Sequence, residues 1–193
     1  EQLVRSLLDF NPNRKIRLAP LSLSDFIREQ SYTLKRLISP VPFSLSIESE
    51  GLQVYAHREL FERALMNLCV NAKHAIEEAY DHAENTIESR EDEISITLRM
   101  PTPKEIKEAN WSQDVIYLEV NDTGVGIPDH LKEKILEPYV TTKGDRGGHG
   151  LGLFSVWMMC KQFNAVLQIE SVLGQGSVFR FVLPLIAQET PSI

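Results

Sequence analysis

Three separated stretches carry side chains whose types and spacing suit phosphate and nucleobase chemistry: "NLCVNAKHAI", "NDTGVGIP" and "GGHGLGLF". Asn67 and Asn71 stand four residues apart, so on a helix both amides lie on one face. Magnesium takes oxygen ligands in a near-octahedral shell and usually shares them with phosphates, so an amide oxygen with triphosphate oxygens and water makes a workable site. A solvated helix face would carry the same pair. Asp122 precedes Gly124 and Gly126, whose lack of a Cβ lets the backbone turn sharply and approach a flat ligand. A carboxylate there can accept from an exocyclic amine such as that of adenine, or it can simply open a turn after a strand. Gly147, Gly148, Gly150 and Gly152 run into a helical pattern that begins near Leu151. Helix starts present free N–H groups and the positive end of the dipole, which suit phosphate oxygens, although a flexible connector has the same composition. The Walker A and GxGxxG patterns are both absent.

The elements that must position these groups follow from periodicity. From about Arg58 to Ala79, the residues Phe61, Ala64, Leu65, Leu68, Ala72, Ile76 and Ala79 form an apolar stripe with a period near 3.6, the longest helix in the chain. Before it, "SLSDFIREQSYTLKRLIS" reads as a helix whose start resembles a capping box, with Ser22 and Asp25 as its members. "FSLSIE" and "LQVYA" alternate across Glu50-Gly51 and predict a short strand pair. After the long helix comes the polar, acidic "YDHAENTIESREDE", expected as a frayed helix end and a loop. "EISITLRM" and "DVIYLEV" have strand composition, and the polar stretch from Pro101 to Gln113 reads as the connector between them. The run from Asp122 to Gly152 is rich in glycine and proline and must be largely loop. Leu151 to Phe163 is helical again, and "AVLQIES" and "SVFRFVLP", joined by the turn "VLGQGS", close the pattern as strands. Glu1 to Phe10 reads as the end of a longer helix, and Asn11 to Pro20, with two prolines and several basic residues, as a linker.

Bulk properties narrow the function class. At 193 residues one main domain with an attached segment is expected, and folding should bury roughly 70% of the unfolded surface. Cys69 and Cys160, each flanked by apolar residues, read as two buried small hydrophobes in a reducing, cytoplasmic setting. A signal peptide is not apparent, and no apolar run reaches the roughly 18 residues a bilayer span needs, so no membrane contact is expected of this stretch. The net charge of −7 argues against a nucleic-acid partner. It leaves an ATP site open, because exposed charges are screened beyond about 8 Å at physiological salt.

Taken in this order, the motifs resemble the GHKL ATP-binding superfamily and, within it, the sensor histidine kinases. "NLCVNA" looks like their N box, "DTGVGI" the G1 box, "EPYVTTK" the F box and "GHGLGL" the G2 box; "GQGSVFRFVLP" resembles their final strands. The resemblance covers about His57 to Pro184. It implies an α+β fold, a two-layer α/β sandwich of the Bergerat type, with a mixed sheet, helices on one face and a mobile ATP lid over Ile127 to Gly148. The implied division is residues 1–20 as the end of a dimerisation and phosphoacceptor helix plus linker, 21–187 as the catalytic domain and 188–193 as a tail.

The resemblance further implies that Asn71 ligates Mg2+, that Asn67 lies near the phosphates as the second catalytic asparagine, and that Asp122 reads adenine. Gly124, Gly126, Ile127, Gly148, His149, Gly150, Leu151 and Gly152 would shape the pocket and lid. Thr141, Thr142 and Lys143 would face the nucleotide, Tyr139 would anchor the lid, and Ser177 would support adenine through water. Three positions after Asn71 the family often carries lysine or arginine; here that position is His74 and Lys73 precedes it, so either remains a candidate for phosphate contact.

Superfamily members that hydrolyse ATP generally place a glutamate where this chain has Asn67, whose amide cannot take a proton. An imidazole acceptor, largely neutral at pH 7 with an unperturbed pKa near 6.5, needs less help. The implied activity is therefore that of a protein histidine kinase, with an ATPase-type clamp or a nucleotide-binding module without transfer as the alternatives. His57, His74, His82, His130 and His149 all lack the setting of an acceptor histidine. The chain is expected to bind ATP without phosphorylating itself. The implied partners are its own dimerisation domain, making a homodimer of the full-length protein, and a response regulator.

Overall fold

The structure, a computed structural model, describes residues 16–82, 92–141 and 150–187. The expected helix at Glu1 to Phe10, the acidic loop beyond His82, and the sites at Thr142, Lys143, Gly148 and His149 lie outside the described residues. In chain order the elements are β1 (Ala19–Ser22), α1 (Leu23–Ile38), β2 (Phe43–Ile47), β3 (Gln53–Ala56), α2 (Arg58–His82), β4 (Ile94–Arg99), α3 (Pro103–Ala109), β5 (Val115–Asp122), α4 (Asp129–Lys132), a 3-10 turn (Lys134–Leu136), α5 (Gly152–Gln162), β6 (Val166–Val172) and β7 (Gly176–Pro184).

Five strands form one mixed sheet in the order β2-β4-β5-β7-β6, in which β2 and β4 are parallel and the other neighbours antiparallel. Strand alternation sends Ile94, Ile96, Leu98, Ile116, Leu118, Val120, Phe179 and Phe181 to the inner face, all buried. The matching helical stripes are Leu23, Phe26, Ile27, Leu34 and Ile38 on α1, and Phe61, Leu65, Leu68, Ala72 and Ile76 on α2. At their centre Phe61 stacks on Phe26 with centroids 5.3 Å apart and meets Phe163 and Phe181 edge-on. Cys69 and Cys160 are buried in this core as free thiols, and burial pushes both pKa values up to about 12. Among the described residues no helix is long and apolar enough to cross a membrane.

Four local expectations are corrected. β2 and β3 are not a pair: β2 runs parallel to β4 and β3 pairs antiparallel with β1. The β2 ladder extends at both ends, from Ile94 N–H to Pro42 O and from Glu48 N–H to Leu98 O. A lone two-stranded hairpin is marginal in water, whereas joining β4 lets β2 extend a sheet already covered by helices. β1 includes Ala19 and Pro20, so the paired backbone starts inside the stretch read as linker. The capping box at Ser22 does not form; the Ser22 hydroxyl lies 3.4 Å from Ser24 Oγ instead.

The fourth concerns the connector before β5, which contains α3. Its start is a complete capping box, in which Glu105 N–H donates to Thr102 Oγ1 and Thr102 N–H donates to Glu105. No residue of α3 is buried, so periodicity had nothing to report. The helix is held to the outer face of the sheet by charge. Arg99 forks onto Glu105 at 2.7 and 2.8 Å, and Arg99 and Arg180 share Glu119. The two guanidiniums lie 5.1 and 5.0 Å from the centroid of the buried Tyr117 ring.

Candidate functional site

Helices α2 and α5 meet along the inner face, and the asparagines of α2 point at the start of α5. Asn67 Nδ2 lies 3.5 Å from the Gly152 carbonyl, and a Cβ on Gly152 would sit 3.8 Å from Asn71 Nδ2. The asparagine face and the α5 start are thus in van der Waals range, with room for no more than a small side chain at Gly152. Leu151 is buried and supplies no side-chain cap to α5, while Ser155 donates through both its N–H and its hydroxyl to the Leu151 carbonyl. α5 thus starts beside the asparagines with no side-chain cap from Leu151, and a helix N-terminus is suited to an anion.

The loop after β5 closes the other side. Asp122 is buried and accepts the Gly124 N–H at 2.9 Å. Gly124 lies against the α2 backbone, where a Cβ would come within 2.6 Å of Ala75 Cβ, and Val125 N–H donates to Ala75 O at 3.0 Å. On its far side the same loop meets the β6–β7 hairpin. A Cβ on Gly126, at φ +70°, would strike the Val172 carbonyl, and one on Gly176 would strike the Asp122 carbonyl. Gly174 N–H donates to Val125 O at 2.7 Å and Ile127 N–H to Ser171 Oγ at 2.8 Å. Ser177 is buried opposite Asp122 in the ladder.

Tyr139 and Gly150 meet backbone to backbone. Tyr139 N–H donates to Gly150 O at 3.0 Å, and a Cβ on Gly150 would lie 2.7 Å from Val140 N. The Tyr139 ring itself is 60% exposed, so the main chain and not the aromatic group makes this contact. Just before Tyr139, Ile135 is buried and the 3-10 turn packs on α5, an anchor that the proline and glycine content concealed. Thr141 is exposed at the end of the described segment.

The sequence left Lys73 and His74 as alternatives. His74 is three residues beyond Asn71 and shares its helix face, where it is exposed. Lys73 leaves that face: its ammonium donates to Ser39 O at 2.8 Å and lies 3.9 Å from Glu77. Two contributors had not been singled out, Ala75, whose carbonyl and small side chain receive the loop, and Ser171. The signal for Ser171 was present, since a serine following Leu167 and Ile169 in strand alternation occupies an inward position.

The family model for the histidine kinase-, DNA gyrase B- and HSP90-like ATPases matches residues 56–187. This chain belongs to that ATPase family. Among curated relatives, the sensor kinase CckA of Brucella abortus is 32% identical over 188 residues, covering 97% of this chain and 19% of the relative. The sensor histidine kinase ZraS of Salmonella typhimurium is 32% identical over 195 residues, covering 97% of this chain and 36% of the relative. The chain thus spans between about a fifth and about a third of the length of these proteins. The ATPase-family fold is shared with full-length ShkA, solved in complex with AMPPNP, at TM-score 0.73 and 20% identity over 99% of this chain and 37% of that one. The mycobacterial sensor histidine kinase MprB aligns at TM-score 0.66 and 18% identity, over 87% of this chain and 97% of the other.

Proposed function

We propose that the chain binds ATP with Mg2+ between α2, the loop after β5 and the start of α5, as the catalytic domain of a sensor histidine kinase. In the whole protein the γ-phosphoryl group would pass to a histidine of its own dimerisation domain, and onward to a response regulator. The observation that carries this reading is the convergence on one helix. Asn67 and Asn71 face the start of α5 at Gly152, while the Asp122–Gly124 turn docks one helical turn away at Ala75.

The donor set fits the metal. Among the described residues no cluster of His, Cys, Asp and Glu could hold an ion by itself, whereas hard amide oxygens beside a phosphate site suit a cation that keeps phosphates and water as ligands. Asn71 would be its protein ligand, and bound there it would offset the charge of the phosphate oxygens. The remaining work belongs to the chain. Asp122 accepts from the adenine amine, the α5 start receives phosphate, and His74 is the side chain on the asparagine face within reach of it. Asn67 has no lone pair basic enough to activate water, so hydrolysis is disfavoured. A neutral imidazole can attack phosphorus directly, forming an N–P bond as the bridging P–O bond to ADP breaks. Catalysis is then chiefly positioning and charge neutralisation.

Calorimetric titration with the magnesium complex of AMPPNP tests the pocket. Asn71→Ala and Asp122→Asn should each weaken binding at least about tenfold with circular dichroism unchanged. Unaltered affinity in both would overturn the site. A second assay tests the transfer: γ-labelled ATP should put acid-labile label on a supplied dimerisation domain and none on this chain alone.

A further inference from the structure

We propose that Ser171 fixes the direction of the hydrogen bond made by Ser177 and so makes the base end of the pocket select a purine with an amine at position 6, a proposal that rests on the ATP-binding reading. Asp122, Ser177 and Ser171 are ladder partners in a row across β5, β7 and β6, all on the inner face and all buried. The Ser171 oxygen has three neighbours: Ile127 N at 2.8 Å, Gly176 O at 2.9 Å and Ser177 Oγ at 3.0 Å. A serine hydroxyl has one proton and two lone pairs. Ile127 N–H can only donate and Gly176 O can only accept, so the Ser171 proton goes to Gly176 and one lone pair takes the Ile127 proton. The lone pair that is left can only accept, and the neighbour that supplies a proton to it is Ser177.

With its proton directed at Ser171, Ser177 offers lone pairs to anything else, as does the Asp122 carboxylate beside it. A 6-amino group donates to such a surface. A 6-oxo group sets lone pairs against lone pairs and leaves buried acceptors unmatched, the situation in which polar sites discriminate most. Ser171 is thus a positioning residue that acts through Ser177. Its contribution is separable from the docking of the hairpin on the loop, which the close approaches at Gly126 and Gly176 and the bond from Gly174 N–H to Val125 O also maintain.

The test titrates the full chain with ATP and with inosine triphosphate, each with magnesium, in wild type, Ser171→Ala and Ser177→Ala. The wild type should favour ATP. In Ser171→Ala the Ser177 proton is free to turn toward the base, so the ratio of ATP to inosine triphosphate affinity should fall about tenfold, with the inosine nucleotide itself binding more tightly. In a Ser177→Ala background, Ser171→Ala should leave the ratio where it is. Equal weakening of both nucleotides by Ser171→Ala would mean that the residue merely holds the loop, and the proposal falls while the ATP site stands. Should Ser171→Ala not fold, a wild-type ratio in Ser177→Ala overturns the proposal by itself. No binding of either nucleotide by wild type would remove the ATP reading and this one together.

Discussion

Gly126 and Gly174 both have positive φ, +70° and +79°, but their surroundings differ. A methyl group on Gly126 would collide with the Val172 carbonyl; one on Gly174 would meet nothing within 4 Å. Gly174→Ala therefore carries only the backbone cost of a left-handed alanine, about 1 kcal/mol. Gly126→Ala adds a collision with main chain that no rotamer change relieves, and about 2–5 kcal/mol is expected. Denaturant unfolding of the two variants measures the difference, and equal midpoints would mean that the loop and hairpin are not packed this closely. The same contact makes Gly126→Ala the variant expected to lose nucleotide affinity, because shifting the hairpin moves Ser177 relative to Asp122.

At the scale of elements, α3 is held by charge where α1, α2 and α5 are held by burial. The Arg99 guanidinium keeps the Glu105 carboxyl down at about 2 against an ordinary value near 4.5. A carboxyl with a depressed folded-state pKa contributes stability that is fully present above its unfolded value and is lost as the pH falls through the folded one. Wild type should therefore lose stability between about pH 4.5 and 2 more steeply than Glu105→Gln, and the gap between their melting temperatures should close as the pH approaches 2. A constant gap across that range would show that the Arg99 fork does not hold the helix. The element was illegible as a helix because its signal was a cap, Thr102 with Glu105, without an apolar stripe. The β2–β3 pairing was misjudged for a related reason: alternation in Phe43–Ile47 and Gln53–Ala56 reports which face is inward and says nothing about which edge is taken.

For the whole molecule, a ligand that binds only the folded state stabilises it by mass action. ATP with magnesium at a hundredfold excess over its dissociation constant should add about 2.7 kcal/mol, a rise of roughly 5–11 °C in melting temperature for a chain of this size. Asp122→Asn, binding about tenfold more weakly or worse, should cut that rise by about half or more, and a wild-type melt insensitive to ATP would contradict the proposed function. The long helix, the inward strand faces, both buried cysteines and the three motif segments were determined by the sequence alone, because periodicity and glycine placement are local properties of the chain. Tertiary structure alone decided that Lys73 turns to Ser39, that Tyr139 meets Gly150 through its main chain, that Ile135 is buried against the helices, and that Ser171 lies beside Ser177. Those facts depend on which distant backbone comes within about 3 Å of a given group, and that is set by the packing of whole elements, which no local spacing records.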